Sequence, residues 1–431
     1  MADFNVIARI PVDFETAEIY EEGWQSWSPT TIYKLDQKPF RPHFPNQYVM
    51  GYRADSVAPR DAFRGEGLLA LKPNSETVVH VFSASSPEEI PSIDARFADG
   101  EIVITADGDI SHTTYNCGSI PAALEIWGSD FAKKFGPKEI RKSPKVWCSW
   151  YQYFTEVKQS DIEENLQQMQ VLDLPFDVVQ IDDGYQSEIG DWLTYSDRFN
   201  SLSEICQIIK DAGREPGIWV APFLVGENSN TAKEHPDWLV PGINAGRNWN
   251  QELYILDTTN PDAAKHLFNV FRTMRNMGIT YFKIDFIYAG AQNGKRFEDI
   301  STIAAYRRGL EIIREAIGDA YLVGCGAPLL ATVGLVDAVR VSPDIGLEYE
   351  PGDENLNEPS QRAAFMTGNS RRWMNHKFWI NDPDCFIARP DVERREEWVE
   401  YCFDYDGLIS TSDRLLDLDE WGLAKTREFL M

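Results

Sequence analysis

Basic residues are the scarce charge in this chain of 431 residues: 41 Lys and Arg stand against 68 Asp and Glu, a formal net charge of -27. A surface so acidic repels phosphate backbones and anionic lipid, which excludes nucleic acid and membrane surfaces as partners and leaves a neutral small ligand. Long apolar runs are missing too. No window approaches the ~18 continuous apolar residues of a membrane span, and the opening Met-Ala-Asp-Phe-Asn-Val lacks a basic stretch followed by an apolar one, so the expected compartment is the cytoplasm. The six cysteines (Cys117, Cys148, Cys206, Cys325, Cys385, Cys402) form no CxxC pair and no His/Cys group at metal-ligand spacing, and they read as free thiols. What the chain has in quantity is aromatic surface, 12% of all residues with 13 Trp and 17 Tyr, enough for a large core and for flat platforms on which sugar rings stack.

Residues 1–140 are broken into short alternating or apolar runs (Phe4 to Pro11, Gly67 to Leu71, Thr77 to Phe82, Glu101 to Ala106) punctuated by Gly, Pro, Asn and Asp. That is the grammar of an antiparallel β-sandwich, and no long helical period is read there. Within it, Gly23-Trp24-Gln25-Ser26-Trp27-Ser28-Pro29 sets two indoles three apart, either covering a seam between domains or offering Trp27 as a ring over a sugar site.

After the polar connector Ile140 to Lys145 the grammar changes to strands alternating with helices, the pattern of parallel βα units. Eight strand candidates follow: Val146 to Trp150, Val178 to Asp182, Pro216 to Ala221, Tyr281 to Asp285, Tyr321 to Gly324, Val336 to Val341, Lys377 to Ile380 and Gly407 to Thr411. The expected fold is therefore an α/β chain, a (β/α)8 barrel over 141–431 preceded by the sandwich over 1–140.

In such a barrel the reacting groups gather where strands end. Tyr281-Phe282-Lys283-Ile284-Asp285 is aromatic and β-branched, yet holds Lys283 and Asp285 two apart and so on one side. A buried pair of that kind is either structural or a carboxylate held ionised and ready to act as a nucleophile. Acids recur at other strand ends: Asp182-Asp183, Asp344, and Asp382 with Asp384. Asp182, Asp183 and Asp285 could hold a divalent cation or accept hydrogen bonds from vicinal hydroxyls, and the Lys283 ammonium favours the hydroxyls.

Six stretches carry a resemblance: Trp147 to Tyr151, Gln180 to Tyr185, Gly217 to Phe223, Lys283 to Phe286, Gly324 to Pro328 and Trp379 to Cys385. In that order they resemble the family 36 glycoside hydrolases, the microbial α-galactosidases, and the similarity runs from about Gly23 to the end. The resemblance implies a retaining α-galactosidase that uses no metal or organic cofactor. It matches Asp285 to the nucleophile and Asp344 to the general acid/base. It matches Asp182 and Asp183 to the grip on the galactose 4- and 6-hydroxyls, puts Trp219 and Lys283 in the same pocket, and puts Cys325 and Arg340 near the 2-hydroxyl. Trp147 and Trp27 complete the expected sugar contacts. The expected substrate is a small galactoside of the melibiose or raffinose type, with an α-N-acetylgalactosaminidase, a galactosyl transferase and an inactive sugar-binding protein as the competing readings. The sulfur of Cys325 beside the 2-position argues against an N-acetyl group.

Two features depart from the family. The residues after Asp344 run Ile345 to Glu354 as an acidic loop, where relatives often carry small residues and a tryptophan. The C-terminal sandwich usual in the family is expected to be absent, which leaves a homo-oligomer open as the means of covering that end of the barrel.

Overall fold

The computed structural model describes residues 4–352 and 355–431, so Met1 to Asp3 and the last two residues of the acidic loop, Asp353 and Glu354, lie outside the described residues. Two antiparallel sheets come first. One holds four strands with Asn5–Pro11 at its edge; the other holds five, built around Glu18–Glu21, Leu68–Lys72 and Val78–Ala84. Alternation along each strand splits its side chains between two faces. Ile19, Leu69, Leu71 and Phe82 of the five-stranded sheet pack on Ile93, Ile102 and Ile104 of the other, forming the sandwich core. The opposite face, Tyr20, Leu68, Ala70, Val79 and Val81, joins the core that continues into the barrel.

That second face is covered by an element the sequence reading lacks, a helix over Ile120–Phe135. Ser119 caps it by accepting the Ala122 N–H, Pro121 sits in its first turn, and Leu124, Trp127, Gly128 and Phe131 form the buried stripe. The Trp127 indole N–H donates to Ser83 Oγ at 3.0 Å, which ties the helix to the sheet.

Eight parallel strands follow, each within a few residues of its expected place: Lys145–Cys148, Val178–Ile181, Glu215–Val220, Tyr281–Ile284, Tyr321–Gly324, Ala338–Arg340, Ile380–Asp382 and Ile409–Thr411. They neighbour one another in chain order, and the eighth pairs with the first. Between the seventh and eighth the ring is closed by Leu408 N–H to Asn381 O and Phe386 N–H to Ser410 O, both 2.8 Å. This is a (β/α)8 barrel. Its largest excursion follows the third strand, a small antiparallel sheet of Leu224–Gly226, Arg247–Asn248 and Gln251–Ile255.

The Gly23 to Pro29 stretch sends its two indoles to different places. Trp24 is buried at the seam with Arg53 5.1 Å above its ring, whereas Trp27 reaches over the barrel mouth. The seam is pinned by Arg371, fully buried, which bonds Glu22 at 2.8 Å and donates to the carbonyls of Ser26 (2.8 Å) and Val341 (2.9 Å). Arg371→Ala strands the buried Glu22 carboxylate and should cost about 3–5 kcal/mol of unfolding free energy, read by chemical denaturation. A loss under about 1 kcal/mol would show that the seam does not depend on this pair.

Candidate active site

At the carboxyl ends of the barrel strands lies a cavity of about 630 Å³. Asp182 follows the second strand, and its backbone N–H donates to Ser149 Oγ (2.9 Å) at the end of the first. One of its carboxylate oxygens accepts from Gln180 (2.5 Å) and Lys283 (3.0 Å), the other from the Asp183 N–H (2.9 Å). Asp183 is held by Gln186 Nε2 at 2.5 Å and by the Trp249 indole N–H at 2.7 Å. Burial, with Asp182 and Asp285 adding to it, pushes Asp183 up to about 6 against those two hydrogen bonds.

From the fourth strand come Lys283 and Asp285. Asp285 is fixed by the Trp219 indole N–H at 3.0 Å and the Phe286 N–H at 2.7 Å, one on each oxygen. The turn that brings the Phe286 amide back onto it puts Phe286 at φ 52, an uncommon conformation for an aromatic residue and one that functional sites tend to retain. The ammonium of Lys283 stands nearer to Asp182 (3.0 Å) than to Asp285 (4.0 Å), so it serves both rather than Asp285 alone. Burial works against its charge, but the two carboxylates outweigh that and its pKa rises above the ordinary lysine value.

Asp344, on the loop after the sixth strand, faces the same cavity with 32% of its side chain exposed and accepts from Arg340 at 2.8 Å. Its carboxyl is pushed up to about 7 by enclosure in protein, opposed by the Arg340 charge and reinforced by Asp384 and Asp285. Arg340 is itself shared three ways, with Asp382 at 3.3 Å and Asp384 at 2.6 Å besides Asp344. Aromatic rings complete the wall: Trp27 meets Phe286 edge to face at 5.0 Å, and Trp249 lies 5.1 Å from Phe286 and 6.3 Å from Trp219. Buried carboxylates able to accept from hydroxyls, rings that present flat apolar faces, and two further acids from different strands make a site suited to a sugar. Among the described residues no group of three or more His, Cys, Asp or Glu could hold a metal ion, and no helix is long and apolar enough to cross a membrane.

Residues 141–312 match the melibiase family model. Over these residues the chain is similar to the melibiases. The family is one of glycoside hydrolases, and an α-galactosidase of Escherichia coli is 25% identical over 159 residues, covering 34% of this chain and 22% of that protein. AgaA, an α-galactosidase of Geobacillus stearothermophilus, is 26% identical over 148 residues, covering 32% of this chain and 20% of that protein. The chain thus matches about a fifth of the length of these relatives. Among solved structures, the α-galactosidase TtGalA of Thermus thermophilus, in complex with stachyose, superposes with a TM-score of 0.84 at 26% identity over 98% of this chain and 92% of that one.

Of the ten site residues expected from the sequence, the barrel and the overlying loop bring seven to one cavity: Asp182, Asp183, Trp219, Lys283, Asp285, Asp344 and Trp27. Three stand behind it. Trp147 is fully buried with its indole N–H donating to the Asp413 carbonyl at 2.9 Å, a core residue of the first strand. Arg340 is buried beneath Asp344 and acts on that carboxylate. Cys325 is buried and outside the cavity lining, so its bulk no longer separates galactose from its N-acetylated analogue.

Trp249 is among the lining residues that the sequence reading missed. It sits with Asn250 in a two-residue turn between Arg247–Asn248 and Gln251–Ile255, both with positive φ (50 and 57). That is the turn a hairpin favours, but tryptophan is a poor occupant of it, and the strain is retained where the ring caps Asp183. The signal available was Asn248-Trp249-Asn250, a turn composition with an aromatic in its middle.

Proposed function

We propose that the chain is a retaining exo-α-galactosidase that removes terminal α-linked galactose from small galactosides by double displacement. The observation that carries this is that Asp285, from the fourth strand, and Asp344, after the sixth, line one sugar-sized cavity in unlike environments. Asp285, oriented by Trp219 and Phe286, attacks the anomeric carbon; Asp344 gives its proton to the departing oxygen and then takes one from the water that releases the sugar. Asp182 and Asp183 accept from the galactose hydroxyls, with Trp219 and Trp249 packed alongside. The names of the relatives and the stachyose bound to TtGalA support galactose as the sugar removed. Turnover of nitrophenyl α-galactoside with the α anomer of galactose released first, seen by proton NMR, is the expected result. Preference for nitrophenyl α-N-acetylgalactosaminide, or release of the β anomer first, would overturn the proposal.

The pH dependence has a fixed sign. Asp344 must be protonated to work, so kcat/KM on a disaccharide should fall as pH passes about 7. The charged groups around it are Arg340, Asp384, Asp285 and Lys283. Asp384→Asn removes a negative neighbour and frees Arg340 for Asp344, and both changes favour the ionised form. The basic limb should therefore move to lower pH. A limb that stays in place or rises would show that Asp384 does not set it.

A further inference from the structure

The N-terminal sandwich holds a pair of histidines that the catalytic reading does not use. His80 lies on the strand Val78–Ala84 and His112 on Ile110–Asn116, the edge strand of the five-stranded sheet, and neither lines the cavity of Asp285. They are 32 residues apart in the chain, so no local motif links them. Antiparallel pairing sets His112 opposite Phe82, and the alternation of side chains then brings His80 to the same face. There His80 Nδ1 stands 3.0 Å from His112 Nε2. The two rings are stacked, with centroids 5.2 Å apart and planes 23° from parallel, and the His112 ring lies 4.2 Å from that of Phe82, which is fully buried in the sandwich core.

Two imidazole nitrogens that bind one ion side by side, each ~2.0–2.1 Å from it and about 90–110° apart, are separated from each other by about 2.8–3.4 Å. The separation of His80 Nδ1 and His112 Nε2 falls in that interval. We infer that His80 and His112 form a binding site for a divalent ion that prefers imidazole nitrogen, Cu²⁺, Ni²⁺ or Zn²⁺, with water completing its coordination. An ion held there ties the edge strand to its neighbour and takes no part in the chemistry at Asp285 and Asp344.

The proton inventory permits it. In the hydrogen bond between the rings one facing nitrogen carries a proton and the other offers its lone pair. Binding moves that one proton through water to the outer nitrogen of the same ring; both rings stay neutral, and two lone pairs then face the gap. Among the described residues no other side chain hydrogen-bonds to either ring, so the ion competes with a single neutral hydrogen bond. His112 is exposed and His80 half-buried, which leaves the gap open to an ion and its water. The His112 ring is already seated on Phe82, so little side-chain freedom is lost when it becomes a ligand. The ligands also decide the class: with nitrogen alone and no carboxylate in the pair, Mg²⁺ and Ca²⁺, which take oxygen, are refused.

Isothermal titration calorimetry of the full chain at neutral pH, with Ni²⁺ as the probe, should show one ion bound per chain at micromolar concentration, and Mg²⁺ should give no binding over the same range. His80→Ala and His112→Ala should each weaken Ni²⁺ binding by about tenfold or more, whereas His376→Ala, which removes an exposed histidine paired with Asp406, should leave it unchanged. A second measurement needs no variant. Saturating Ni²⁺ should protect His80 and His112 from acylation by diethyl pyrocarbonate, read by peptide mass spectrometry, while the exposed His43 and His376 stay labelled. Affinity unmoved in both His80→Ala and His112→Ala, protection confined to other histidines, or no Ni²⁺ binding below millimolar concentration would overturn the site. None of these outcomes bears on the α-galactosidase reading, which stands or falls on its own tests.

Discussion

Replacing Asp285 by alanine is expected to lower kcat on nitrophenyl α-galactoside by roughly 10⁴-fold or more, with KM little changed, because the variant keeps its grip on the sugar and loses the group that attacks it. The carboxylate is held by one N–H on each oxygen, from Trp219 and from Phe286, so its position depends on neighbours that survive the substitution. Asp285→Asn keeps the shape without the charge and should fall nearly as far. In the alanine variant azide, small enough for the space left by the carboxyl, should restore turnover and leave β-galactosyl azide as product. Azide attacks on the face Asp285 occupied, so the configuration inverts once instead of twice. Loss of activity without azide rescue, or rescue that yields the α-azide, would place the nucleophile elsewhere.

The second large effect belongs to Asp344 and depends on what leaves. For a disaccharide the expelled alkoxide needs a proton, and Asp344→Ala should cost about 10²–10⁴-fold in kcat/KM. For dinitrophenyl α-galactoside, whose phenolate leaves unaided, the same variant should lose less than about tenfold in kcat/KM. The basic limb near pH 7 should vanish from the variant's profile, since the group that titrates there is gone. Equal losses on both substrates would make Asp344 a binding residue rather than an acid.

The barrel could be read from the sequence because each parallel strand is a short apolar run with punctuation on both sides, as in Tyr321 to Gly324 between Gly318 and Gly326. The acids at strand ends could be read for the same reason, since a carboxylate at the edge of a buried run needs an explanation. The helix Ile120–Phe135 was legible in principle, with Ser119 and Pro121 at its start and Leu124, Trp127 and Phe131 at helical spacing. It was masked by the β grammar on its N-terminal side. Trp147 illustrates the opposite failure. A tryptophan inside a motif looks like a sugar contact, but a strand residue faces either the mouth or the packing layer, and here it packs. Arg340 and Lys283 could be placed near the acids but not apportioned among them. Whether Arg340 serves a hydroxyl or three carboxylates, and whether Lys283 sits nearer Asp182 or Asp285, depends on distances of an ångström set by the whole ring of strands. Trp249 lies on an excursion whose return path no local period records.

The central claim is that one carboxylate, that of Asp285, bonds covalently to the sugar during turnover. Incubating the chain with a mechanism-based fluorogalactosyl fluoride, digesting it and sequencing the labelled peptide by mass spectrometry tests this directly. The account predicts one sugar adduct, on Asp285, and none in Asp285→Ala. An adduct on Asp182, Asp183 or Asp344, or time-dependent inactivation with Asp285 unmodified, would contradict it.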